Sequence, residues 1–171
     1  MSSSIFAALA KRLTTAPTPQ NWLITLLIYG VFFFILALII FGAHPSSLHM
    51  HTSYLKREWT FWLLSPLYFV IPSLGEEIVF RGLLQPKRLF GGTSKAWALS
   101  GLSLLAFILW HPVQIWLGLP SAQSVFLEPA FLMIAGLLGL TTTILTHKTG
   151  SLWPGVILHG VVVIGWKALS A

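Results

Sequence analysis

Ser73-Leu74-Gly75-Glu76-Glu77-Ile78-Val79-Phe80-Arg81 sets two adjacent carboxylates and a guanidinium inside an otherwise uncharged apolar run that begins at Trp59. The whole chain has only four acidic residues, none of them aspartate, and half of them stand side by side in this stretch. An ionisable group at membrane depth is costly unless it is paired or wet, so its presence there points to function. Reading the stretch as a charged motif within a membrane helix decides how the flanking segments are read.

Composition agrees with that reading. The chain of 171 residues is 56% hydrophobic and 8% charged, with a mean hydropathy of +0.83. Such a mix cannot give water a charged, patch-free surface. The formal charge of +6 does not indicate nucleic acid, because the ten Lys/Arg are scattered between apolar runs instead of forming a basic face. Membrane topology explains them. The absence of cysteine excludes a disulfide framework, a thiolate nucleophile and a Cys-based zinc site. Lys11 and Arg12, followed by Pro17 and Pro19, precede an uncharged run too long for a signal h-region and without an obvious small-residue cleavage site, so it reads as a retained span.

Outward from the motif, the hydropathy pattern predicts an all-α, polytopic transmembrane helix bundle of about five spans. Span one runs from Trp22 to Ala43 and span two from Trp59 through the glutamates to about Gln85, with Pro66 and Pro72 as expected kinks. Span three covers Ala96 to Gly118, with a kink or helix end expected at His111-Pro112. Span four starts at Glu128-Pro129, where proline suits the first helical turn, and runs to about His147. Ala135 and Gly139, one turn apart on it, allow close approach by a neighbouring backbone. Span five runs from Ser151 to about Ala168.

Polar connections complete the chain, of which Gly118 to Leu127 is a short link. His44 to Glu58 holds His44, His49, His51 and the Lys56-Arg57-Glu58 cluster; loop histidines so close together read as solvated or interfacial sooner than as metal ligands. Gly82 to Lys95 is basic and turn-rich, suited to a membrane surface. With the N-terminus inside, Lys11, Arg12, Lys87, Arg88, Lys95 and Lys148 are cytoplasmic against Lys56, Arg57 and Lys167 outside, which favours a cytoplasmic N-terminus.

On a helix, Glu77 and Arg81 face the same way while Glu76 points about 100° away. Arg81 is thus placed to neutralise Glu77, leaving Glu76 available as a carboxylate that exchanges protons. The other titratable side chains expected inside spans are His111 and His159, and the three groups could converge on one buried water. Upright helices put Glu76 and His159 at similar depth but leave His111 roughly 10 Å too high, so convergence requires tilt, a kink or a deeper third span. Plainer readings stand beside this one. Ser73-x-x-Glu76 is a capping-box pattern, single histidines in spans are commonly helix contacts, and Phe107 is most simply packing.

Taken as a set, Glu76-Glu77-Ile78-Val79-Phe80-Arg81, Phe107-x-x-x-His111, and Thr149-Gly150-Ser151-Leu152 followed by His159 resemble the CPBP family. These are the membrane-embedded CAAX-prenyl-protease and bacteriocin-processing enzymes, Abi or Rce1-like. The resemblance covers about Pro72 to Gly165. It implies an N-terminal segment, first span and polar loop over residues 1–58 and a CPBP-like, Rce1-like catalytic core over residues 59–171.

It further implies that Glu76 is the catalytic glutamate and that His111 helps it activate water. His159 would bind or polarise the oxyanion, and Glu77 and Arg81 would hold the motif in shape, with Phe107 as motif support. A metal-free, glutamic-type mechanism is expected; the alternative is a divalent metal such as zinc held by Glu76, His111 and His159, although no HExxH occurs. One position departs from the family pattern, since Val163 stands where members often carry an oxyanion-binding Asn, and Gln114 is the nearby polar group that could replace it.

The expected function is therefore intramembrane endoproteolysis of a membrane-anchored or lipidated peptide, with the lipid bilayer and no nucleic acid as partners, in the bacterial cytoplasmic membrane. Aspartyl chemistry is excluded by the lack of aspartate, and neither HExxH nor a G-x-S-x-G elbow is present. The alternatives are a non-catalytic immunity or scaffold protein of the same family, favoured by Val163, and a proton-coupled carrier, disfavoured by five short spans without inverted symmetry.

Overall fold

The computed structural model describes residues 2–42, 59–86, 93–120 and 122–169. The His44, His49 and His51 loop, the Lys56-Arg57-Glu58 cluster and the basic pair Lys87 and Arg88 lie outside the described residues. Among the described residues six longer helices follow in order: α1 Ser2–Thr14, α2 Pro19–Gly42, α3 Trp59–Leu83, α4 Ser94–Trp116, α5 Pro129–Thr149 and α6 Trp153–Leu169. No strand occurs among the described residues, and the architecture is the all-helical membrane bundle that the hydropathy pattern predicts.

Helices α2 to α5 are each long and apolar enough to cross a membrane. The fifth expected span, α6, has 17 residues. At a rise of about 1.5 Å per residue it extends roughly 25 Å, near the lower limit for a crossing. Lys11 and Arg12, read from the sequence only as a basic lead-in, belong to a separate helix α1.

Helix α5 is central and packs against α2, α4 and α6. Its small residues make this possible, although it is side chains that use the space at Gly139 and not a neighbouring backbone. A Cβ at Gly139 would lie 2.8 Å from both Arg81 Nη2 and Phe107 Cδ1. By contrast α2 leaves Leu23, Leu26, Leu27, Val31, Phe34 and Leu38 exposed. That surface suits contact with lipid chains.

Helix α3 passes its prolines by widening. A turn at Ser65 and Pro66 is followed by π-helical turns at Phe69–Leu74 and Ile78–Leu83, on either side of Gly75–Glu77. The Gly75 and Leu84 N–H groups accordingly reach back to Val70 O and Val79 O. Such π-turns relieve a missing proline donor without ending the helix, and they recur at functional sites. The capping box does not form: Ser73 Oγ donates to Tyr68 O at 2.8 Å, and no side chain caps the Gly75–Glu77 turn, because the helix already runs through this region. Nor does α4 end at Pro112, since it continues to Trp116. A membrane helix tolerates an internal proline where neighbouring groups satisfy the freed carbonyls.

Helix α6 starts after Gly150, whose φ of 69° is the left-handed cap that lets the chain reverse out of α5. It then lies on the Phe69–Leu74 turns of α3. Their contact requires glycine, because a Cβ at Gly160 would run into the Phe69 ring. Gly160→Val is therefore expected to cost about 1–3 kcal/mol through overpacking. Denaturant titration of the purified protein in mixed micelles would measure it, and Gly165→Val, where a Cβ meets nothing within 4 Å, is the control.

Candidate active site

The π-turns of α3 set Glu76 and Glu77 in different surroundings. Glu77 is 0% exposed and Arg81, one turn on, is 1% exposed; Arg81 Nη1 lies 3.4 Å from Glu77 Oε1. The rest of the guanidinium is also engaged, since Nη2 donates to Gly139 O at 2.8 Å and Cζ lies 4.1 Å from the centre of the Phe107 ring. Phe107 thus does more than pack, as it forms the apolar face against which the arginine lies. A cation over an aromatic face gains about 0.5–2 kcal/mol, more when desolvated.

Glu77 has a second partner that sequence spacing does not reveal. His159 Nδ1 lies 3.1 Å from Glu77 Oε1. A carboxylate can only accept, so the imidazole proton sits on Nδ1 and Nε2 is directed elsewhere. Nε2 lies 3.7 Å from Glu76 Oε2, an ion-pair separation too long for a direct hydrogen bond. His159 therefore stands between the two adjacent carboxylates. Gly155 keeps α6 close enough for this, as a Cβ there would lie 3.4 Å from Glu77 Oε2 and 3.3 Å from Thr142 Cβ.

Glu76 remains 15% exposed. Its Oε1 accepts from the indole Nε1 of Trp110 at 3.2 Å, and its Oε2 has no hydrogen bond. Trp110 is the contact that sequence reasoning missed. Its one signal is adjacency to His111, because an indole N–H inside a span needs an acceptor.

His111 is held through Nδ1, which donates to Phe107 O at 3.1 Å. That bond fixes the neutral tautomer with its Nε2 lone pair free. The Phe107 ring spaces the two histidines, with centroids 5.3 Å from His111 and 5.8 Å from His159. The roughly 10 Å depth mismatch expected for His111 arises from treating helices as upright rods. Helix α3 is instead a succession of wider turns broken at Pro66.

Glu76, His111 and His159 all line one cavity of about 780 Å³, together with Trp110, Gln114 and Val163. Most of the remaining lining is apolar, from Leu64, Leu67 and Ile71 on α3 to Phe131, Ile134 and Leu138 on α5. One carboxylate with a free oxygen, one imidazole with a free lone pair and a second imidazole oriented by a buried acid can move protons at a reacting carbonyl. Among the described residues no three His, Asp or Glu side chains are grouped so as to hold a metal ion.

Comparison with protein-family models gives a match over residues 57–164 to the family described as type II CAAX prenyl endopeptidase Rce1-like. The chain belongs to the Rce1-like family. No curated protein and no solved structure matches it. At family level it is a CAAX-type intramembrane protease and an integral membrane protein. The Rce1-like match contains Glu76, Glu77, Arg81, Phe107, His111 and His159, and leaves α1 and α2 outside.

Proposed function

We propose that the protein hydrolyses a peptide bond of a membrane-anchored or lipidated peptide, using a water activated by Glu76 and His111. The observation that carries this reading is the shared cavity, in which a carboxylate held by one indole N–H faces two imidazoles whose Nδ1 atoms are both engaged. Glu76 takes the proton of the attacking water, and the His111 Nε2 lone pair helps to orient that water. His159, oriented by donating Nδ1–H to Glu77, presents Nε2 to the tetrahedral intermediate, where a proton on that nitrogen binds the oxyanion. The proton then passes to the leaving amine. The apolar lining suits a substrate drawn from lipid.

Co-expression of wild type or Glu76→Gln with candidate membrane peptides, followed by mass spectrometric mapping, tests the proposal. Cleavage by the wild type alone supports it; identical peptide patterns reject it.

Val163 supplies the second test. It lines the cavity one helical turn after His159 and offers no donor. An oxyanion donor is typically worth about 10²–10³ in kcat. Val163→Asn is therefore expected to raise kcat toward that order while changing KM little, and Val163→Leu is expected to give no such gain. A scaffold without chemistry would show no turnover with either.

A further inference from the structure

We propose that α1 is a working part of the active site, with Arg12 as a positioning residue that locks the end of the Glu76–Glu77–Arg81 helix to the start of the His159 helix. This rests on the reading of Glu76 and His159 as the site. The role falls outside the Rce1-like match, which begins at residue 57.

Arg12 is only 7% exposed. Its guanidinium donates to four carbonyls at the end of α3: Nη1 to Arg81 O, Gly82 O at 3.4 Å and Gln85 O at 3.3 Å, and Nη2 to Pro86 O at 2.9 Å. The last carbonyls of a helix lack partners within it and carry its negative end. A planar cation with five donors is suited to gather them, and a lysine ammonium is not.

The same turn of α1 also holds α6. Arg12 O accepts from Leu152 N at 3.1 Å, and Leu13 O accepts from the Trp153 indole at 2.8 Å. Leu9 closes the junction, since a Cβ at Gly82 would collide with it and stand 3.6 Å from Leu152. Leu152 is fully buried, and the residue after it opens α6. One residue thus bonds through its side chain to the helix carrying both glutamates and through its backbone to the residue that leads into the helix carrying His159. The 3.7 Å separation between His159 Nε2 and Glu76 Oε2 depends on how those two helices sit together. A displacement of about 1 Å at reacting groups can cost 10²-fold in rate.

The test uses the full chain in liposomes. Arg12→Gln is expected to lower kcat by up to about 10²-fold with KM unchanged, and Arg12→Lys to restore part of the loss. Lys11→Gln, which removes an exposed neighbouring charge, should leave kcat as it is. Because the chain has no cysteine, spin labels at Leu84→Cys and Val161→Cys report the α3–α6 distance cleanly. Both positions are exposed. Arg12→Gln should broaden that distance distribution, whereas Lys11→Gln should not. An unchanged distribution, a kcat within twofold of wild type, or an equal loss in Lys11→Gln overturns the proposal. Should Arg12→Gln fail to fold, Arg12→Lys carries both measurements. If the wild type cleaves nothing, the protease reading falls, and the distance distribution alone decides whether α1 locks the two helices.

Discussion

Glu76→Gln is expected to lower kcat roughly 10²–10⁴-fold, the usual contribution of a positioned general base, with KM and folded yield close to wild type. The amide has nearly the volume of the carboxylate, and its oxygen can still accept the Trp110 indole hydrogen bond that now holds Glu76 at 3.2 Å. Shape and anchoring are therefore kept. Lost are the ability to take a proton from water and the negative charge 3.7 Å from His159. Single-turnover hydrolysis in liposomes, read by mass spectrometry, isolates the chemical step. A variant that binds peptide normally but does not cut it assigns the proton transfer to Glu76. Equal product from both proteins would remove Glu76 from the mechanism. Glu76→Asp refines the test, because withdrawing the carboxylate by one methylene from Trp110 should leave partial activity if position matters along with charge.

The sequence discloses the membrane bundle because hydropathy is written in long runs. Expected and observed ends of the spans agree closely, as with Trp116 at the end of α4 against the expected Gly118 and Pro129 at the start of α5. Pairing of Glu77 with Arg81 is equally legible, since four-residue spacing on a helix puts both on one face. Contacts between helices are not legible in this way. The Glu77–His159 bond joins residues 82 apart, and the Arg12 bonds to α3 span 69 to 74 positions. No local period encodes either one. At Pro72 the backbone widens into π-turns, and at Pro112 the helix continues to Trp116 instead of ending, because leaving a membrane helix exposes more backbone polar groups than accommodating one proline. Gly139 and Gly160 were informative only once their neighbours were known, as the former admits Arg81 and Phe107 and the latter admits Phe69.

In the proposed mechanism the adjacent glutamates divide a task between them. Glu77 gives up its charge to Arg81 and to the Nδ1 proton of His159, so the histidine has a fixed orientation. Glu76 is left with an oxygen that no hydrogen bond occupies. Adjacency also makes the site sensitive to charge balance, because three ionisable groups beside Glu76 are buried in an apolar interior.

That balance gives the largest stability effect expected. Arg81→Met should destabilise the fold by about 3–5 kcal/mol, since removing one partner of a buried ion pair leaves an uncompensated charge. Methionine fills most of the volume of arginine and keeps the contact with Phe107, so cavity formation is a minor part of the loss. Glu77 would then be fully buried with the His159 Nδ1 hydrogen bond as its remaining contact of this motif, and Gly139 O would lose its donor. The double variant Glu77→Gln with Arg81→Met removes both charges and is expected to recover part of that loss. Replacing a whole buried pair is often neutral where breaking it is not. Unfolding in mixed micelles of wild type, both single variants and the double gives the coupling energy directly, and residues in contact typically couple by about 0.5–3 kcal/mol. If Arg81→Met unfolds with wild-type stability, charge compensation is not what holds the motif. If the double is as unstable as the sum of the singles, the two side chains act independently despite their 3.4 Å separation. Activity should stay low in the stabilised double, because a neutral amide in place of the Glu77 carboxylate orients His159 without the charge that the oxyanion-binding role of its Nε2–H requires.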